Sequence, residues 1–117
     1  MERDCIVFYV ELGFKTCFGE HAHSSVPFLA ELESIIQSRR SADPQTSYTA
    51  RLLGDSIHRV AQKVGEEAVE TILAATARMD DDVIDEAADL IYHLMVLLAA
   101  KELSLSTVVD VLRRRHQ

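Results

Sequence analysis

Two acidic knots, "EEAVE" at Glu66–Glu70 and "DEAAD" at Asp85–Asp89, are the residues of this sequence best suited to chemistry. Placed on helices at about 100° per residue, Lys63, Glu67 and Glu70 form one stripe at spacings i, i+4, i+7, bordered by Val60, Val64 and Thr71. Glu86, Asp89 and His93 form a second at i, i+3, i+7, bordered by Leu90 and Leu97. Both stripes adjoin apolar faces instead of lying opposite them. If the chain reverses near Arg78, antiparallel packing sets Glu70 level with Glu86, Glu67 with Asp89 and Lys63 with His93. With a rise of about 1.5 Å per residue and axes roughly 8–10 Å apart, the carboxylates of Glu67, Glu70, Glu86 and Asp89 converge on one small volume.

Four carboxylates at the edge of a core are unfavourable alone. Two like charges at about 4 Å repel by roughly 1 kcal/mol in water and about 4 at an effective dielectric of 20. The group must raise its pKa values or recruit a cation. Oxygen ligands without thiolates suit the hard ions Mg²⁺ or Mn²⁺, and Mg²⁺ keeps waters and binds phosphate oxygens. The competing reading is a pair of solvated faces laced with ion pairs, Lys63 to Glu67 being a standard i, i+4 example.

Short connections between helical stretches must hold these stripes in place. "VPFLAELESIIQSRR" has helical periodicity, with Pro27 suited to a first turn. "SADPQTS" reads as a loop around Asp43-Pro44. Helical pattern resumes from Tyr48 to Arg78, interrupted around Gly54-Asp55, where Asp55 is a candidate cap. "MDDD" is a short connection with Asp81 or Asp82 as cap. The next helix extends to about Leu103. "SLSTVVDVLRRRHQ" forms the last, capped by Ser104 or Ser106, with basic residues at its C-terminus. The expected class is all-α, an antiparallel bundle.

Composition limits the functions available. The chain has 117 residues, 48% hydrophobic and 6% aromatic, with no Trp, so its core is aliphatic. A net charge of -7 argues against coating nucleic acid or an anionic membrane. No apolar run approaches a membrane span, and "CIVFYVEL" after "ERD" is a poor signal peptide. The two cysteines, Cys5 and Cys17, build no disulfide framework, so a cytoplasmic location is expected.

"SYTARLL", "KVGEEAVETILAA", "DEAADLIYHLMVLLA" and "LSLSTVVDVLRRRH" together closely resemble the phosphoribosyl-ATP pyrophosphohydrolases of histidine biosynthesis. The likeness runs from about Phe28 to His116. Within the wider all-α MazG-type pyrophosphohydrolases, the shared pattern is EExxE…ExxD, here Glu66, Glu67 and Glu70, then Glu86 and Asp89. The resemblance implies Mg²⁺-dependent hydrolysis of 1-(5-phosphoribosyl)-ATP to 1-(5-phosphoribosyl)-AMP and pyrophosphate. It also implies a helical homodimer and, with no cyclohydrolase zinc pattern in the chain, the stand-alone form. On that reading Glu67, Glu70, Glu86 and Asp89 hold the metal, and Glu66 or Glu67 takes a proton from the attacking water. Lys63 then neutralises charge on the leaving pyrophosphate. Arg39, Arg40, Ser47, Tyr48 and Arg51 flank the loop before the metal helix; of these the family likeness supports Ser47 and Tyr48 most as phosphate and ribose contacts, while Arg39 and Arg40 read equally well as a solvated helix end. The apolar breadth of "DLIYHLMVLLAA" also calls for a partner copy.

Other residues have plainer readings. His93 is expected to be a packed, hydrogen-bonded histidine, and Gly65 to mark a close approach of another backbone. Cys17, His21 and His23 lack the fourth ligand that a tetrahedral zinc site needs. Residues 1–25 fall outside the family likeness and are expected to be an N-terminal extension to a domain spanning 26–117. The alternative functions are a housekeeping pyrophosphohydrolase for noncanonical nucleotides with the same acids, an iron-handling carboxylate bundle, for which only Glu20 and His23 have the right spacing, and a helical adaptor.

Overall fold

A computed structural model describes residues 25–117 apart from residue 78. Residues 1–24 of the expected N-terminal extension, with the apolar run "CIVFYV" and the Cys17, His21, His23 string, lie outside the described residues. Among these residues every regular element is helical: α1 (Phe28–Ser38), a 3-10 turn (Arg39–Ser41), α2 (Tyr48–Leu53), α3 (Ile57–Ala77), α4 (Asp80–Ala100) and α5 (Leu105–Arg115). The all-α class expected from the periodicity is what the described residues adopt. The chain divides into two compact units, Met1–Leu32 and Glu33–Gln117, and all of the candidate site belongs to the second.

Local chemistry explains most boundaries. Pro27 immediately precedes α1, as a fixed φ favours. In the connection after the 3-10 turn, the Asp43 carboxylate accepts from the Gln45 N–H at 2.9 Å and its carbonyl accepts from Thr46 and Ser47, a turn that Asp before Pro promotes. Ser47 is extended and its Oγ accepts from the Ala50 N–H, capping α2. The break at Gly54-Asp55 is present, but Ser56 is the cap of α3: its Oγ accepts from the Arg59 N–H at 3.2 Å. Asp55 instead accepts from the Ser56 N–H at 2.7 Å, one residue too early to cap. Ser104 caps α5 through the Thr107 N–H, as expected, and Glu33 adds a carboxylate to the same terminus, accepting from the Leu105 N–H at 2.7 Å.

Two boundaries differ from the sequence reading. Neither Asp81 nor Asp82 caps α4; its N-cap is Met79, without a side-chain bond, and Asp80, Asp81 and Asp82 fill the first turn. There, three carboxylates stand at the positive dipole end, worth about 0.3–1 kcal/mol each when exposed. Helix α4 also ends at Ala100, short of Leu103. The Leu103 N–H reaches back to the Leu98 carbonyl at 2.8 Å and the Glu102 N–H to Ala99 at 3.0 Å. Glu102, with φ 58°, holds the left-handed position that glycine usually fills.

Helices α3 and α4, joined by the short link at residues 78–79, form the main pair, and α2 packs against both. The core of the second unit consists of Ile36, Ala50, Leu52, Val60, Ala74, Met95, Val96 and Ala99. Each fully buried aliphatic side chain contributes about 1.5–3 kcal/mol. This hairpin is the frame that brings the two acidic stripes together.

Candidate metal and phosphate site

The stripes meet, and they do so through Glu67 and Asp89, which the reflection about residue 78 sets level, together with Glu86. Glu67 of α3 and Glu86 and Asp89 of α4 each offer a carboxylate oxygen, and the three lie within 4.8 Å of one another. Glu67 and Glu86 are half-buried and Asp89 is exposed. Glu70, one turn further along α3 and half-buried, stands outside this mutual set. Three negative charges in so small a space repel in the absence of a counter-ion, and an all-oxygen set open on one side fits a hard divalent ion that retains water.

Lys63 supplies the positive charge beside them. Its Nζ donates to the Glu66 carboxylate at 3.2 Å and stands 3.7 Å from Glu67. The second Glu66 oxygen accepts from Gln62 Nε2 at 3.0 Å. The Lys63 bond, then the Gln62 bond, pull Glu66 below the usual carboxylate range. The Glu66 bond holds Lys63 above its ordinary value against an opposing effect of burial, with help from nearby Tyr48 and Glu67. The ion pair expected on a solvated face is therefore present as well, on the same stripe as the clustered acids.

The loop residues divide by what they touch. The Tyr48 hydroxyl is 2.9 Å from His93 Nε2, and Arg51 lies 5.6 Å from the Tyr48 ring centroid while donating to the Pro44 carbonyl at 2.9 Å. Ser47 Oγ is engaged in capping α2. Arg40 donates to Gln37 and to the Ala99 carbonyl at the end of α4, which makes it a tie between helices; Arg39 is exposed in the 3-10 turn. His93 is buried and hydrogen-bonded, as its sequence context suggested. Gly65 departs from expectation: among the described residues, beyond its two chain neighbours and its own helix backbone, no heavy atom lies within 4 Å of where its Cβ would stand. It opens onto a groove lined by Gln62, Glu66, Val69 and Glu70.

The sequence reading missed Thr49 and Tyr92, whose hydroxyls bond to each other. The Tyr92 hydroxyl is pushed above its usual pKa, chiefly by burial, with the Thr49 bond opposing. The adjacent pairs Tyr48-Thr49 and Tyr92-His93 were visible as tandem polar aromatics, but nothing local says that they meet.

Residues 29–116 match the phosphoribosyl-ATP pyrophosphohydrolase family. The chain belongs to that family. It is 52% identical over 105 residues to the histidine biosynthesis bifunctional protein HisIE of Escherichia coli K12, an alignment covering 90% of this chain and 51% of the relative. The HisIE proteins of Salmonella typhimurium and Yersinia pestis are 50% and 51% identical, with similar coverage. The chain thus spans about half the length of these relatives. Membership places the clustered acids within a family of hydrolases, and no helix among the described residues is long and apolar enough to cross a membrane.

Proposed function

We propose that this chain hydrolyses 1-(5-phosphoribosyl)-ATP, adding water across the α–β phosphoanhydride to release 1-(5-phosphoribosyl)-AMP and pyrophosphate in the second step of histidine biosynthesis. The observation that carries this reading is the convergence of Glu67, Glu86 and Asp89 in a chain matched over residues 29–116 by the family. Glu67, Glu86 and Asp89, with Glu70 one turn away, are the residues to hold Mg²⁺ or Mn²⁺, which would screen the phosphates and acidify a water.

The chain's own groups do the rest. Lys63 turns from Glu66 towards the leaving pyrophosphate and stabilises its developing charge. Released from Lys63, Glu66 loses the partner that depresses its pKa and becomes a better proton acceptor; Glu67, already among the acids, is the other candidate base. On this reading Tyr48, Arg51, Ser47 and Arg39 are the residues to contact the ribose and phosphates.

The apolar surface supports a homodimer. Val69, Ile72 and Leu73 of α3, Ile84, Ile91 and Leu94 of α4, and Val108, Val109 and Leu112 of α5 are all exposed, more than scattered surface residues account for. The net charge of -7 and this surface fit a cytoplasmic enzyme with a small-molecule substrate and neither nucleic acid nor membrane as partner. The deciding assay measures pyrophosphate release from phosphoribosyl-ATP and from a panel of noncanonical nucleotides, with Mg²⁺ and with chelator. Preference for a noncanonical nucleotide would replace this reading with the housekeeping one. Light scattering that found a stable monomer at micromolar concentration would remove the dimer.

A further inference from the structure

We infer that His93 is a positioning residue that fixes the Tyr48 phenol at the rim of the acidic site. The inference rests on the functional reading above, in which Tyr48 meets the substrate. His93 Nδ1 lies 2.7 Å from the Asp89 carbonyl oxygen. A carbonyl only accepts, so Nδ1 carries the hydrogen, and Nε2 of the neutral ring is left as an acceptor. The Tyr48 hydroxyl, 2.9 Å away, then donates to Nε2, which fixes its direction and leaves the oxygen lone pairs for another donor.

The ring is held on its other sides too. Tyr92 stands edge-on to His93, with centroids 4.9 Å apart, and stacks on Tyr48 at 6.3 Å, while its hydroxyl bonds to Thr49. Two adjacent residues of α2 are thereby tied to two adjacent residues of α4. His93 is 6% exposed and Tyr48 41%, so the anchor is buried while the phenol still reaches solvent. Asp89, whose carbonyl anchors the imidazole, also contributes a carboxylate to the acidic set. One helical turn of α4 therefore sets where the phenol stands relative to the metal-binding oxygens.

A histidine that merely packs would be replaced equally well by any residue of its volume, and amide substitutions separate the cases. In His93→Asn the amide nitrogen replaces Nδ1 and keeps the Asp89 contact but loses Tyr48. In His93→Gln the amide oxygen replaces Nε2 and keeps Tyr48. Steady-state kinetics with phosphoribosyl-ATP and saturating Mg²⁺ are expected to show His93→Asn and Tyr48→Phe each raising KM about tenfold, the scale of one lost directed hydrogen bond, with most of the loss in KM rather than kcat. The double variant should be no worse than either single one, and His93→Gln should recover most of the loss. Nitrogen-proton NMR of the free protein should show the Nδ1–H tautomer. Unchanged KM in His93→Asn, additive losses in the double variant, His93→Gln no better than His93→Asn at equal melting temperature, or an Nε2–H tautomer would each overturn the inference and leave the functional reading standing. Wild-type protein inactive on phosphoribosyl-ATP would overturn both.

Discussion

Neutralising Glu67 is expected to stabilise the protein without metal and to weaken it, relative to wild type, with metal. The Glu67 carboxylate lies within 4.8 Å of Glu86 and Asp89, so each repulsion is at least about 0.9 kcal/mol at the dielectric of water. Glu67→Gln also removes the attraction to Lys63 at 3.7 Å, about 1.1 kcal/mol on the same scale, while Lys63 keeps Glu66. The relieved repulsion exceeds the lost attraction by about 0.6 kcal/mol, and by about 2 if the half-buried site has an effective dielectric near 20. Heating scans in chelator should therefore place the variant about 2 °C or more above wild type. Adding Mg²⁺ reverses the order once the variant no longer holds the ion, because an ion at a hundred times its dissociation constant stabilises wild type by about 2.7 kcal/mol, more than the relieved repulsion. Protein concentration must be held fixed if the chain dimerises. A variant that keeps its helical circular dichroism but melts below wild type in chelator, or gains as much from Mg²⁺, would refute the assignment.

Glu66, with its pKa lowered by Lys63, contributes stability above its unfolded pKa that is lost as pH falls through the folded value. The difference in melting temperature between wild type and Glu66→Gln should accordingly be present at neutral pH and close in acid; a difference that persists at low pH would show that the charge pair is not its source. Gly65→Ala should raise the stability of the chain by about 1 kcal/mol in urea titrations, because the added methyl meets only open space and helix propensity improves; a loss would mean that something in the assembled protein approaches that backbone. Glu102→Gly should stabilise by up to about 1 kcal/mol by relieving the left-handed φ of 58°, and a destabilised variant would show that the glutamate has a compensating role.

Periodicity carried much of the architecture. The Glu67–Asp89 pairing and the placement of Glu86 were legible because helix phase and a short connection together fix which residues come level. Glu70 was harder, since that construction gives height along the hairpin but not side-chain direction, and Glu70 is not among the three acids whose oxygens lie within 4.8 Å of one another. The cap of α3 falls on Ser56 and not Asp55 because the two adjacent residues offer equivalent starts, and α4 starts at Met79 without any side-chain cap bond, which no cap-forming residue announces. The end of α4 was overrun because Glu102 fills a position that glycine normally announces. The bonds from α2 to Tyr92 and His93 were hidden because they join segments far apart in sequence, and no local rule encodes such contacts.

Helix α2 has six residues, fewer than an isolated helix needs to outlast its nucleation cost. Its order is therefore borrowed from Tyr92 and His93 through the hydroxyl bonds and from the burial of Ala50 and Leu52. A segment stabilised in this way opens as one unit, at lower free energy than the hairpin on which it rests. Its amide hydrogens should exchange with solvent together, and earlier than those of α3 and α4. The same opening would carry Ser47, Tyr48 and Arg51 away from the acids in one movement, so on the proposed reading the grip on substrate would weaken on warming while the clustered carboxylates were still in place.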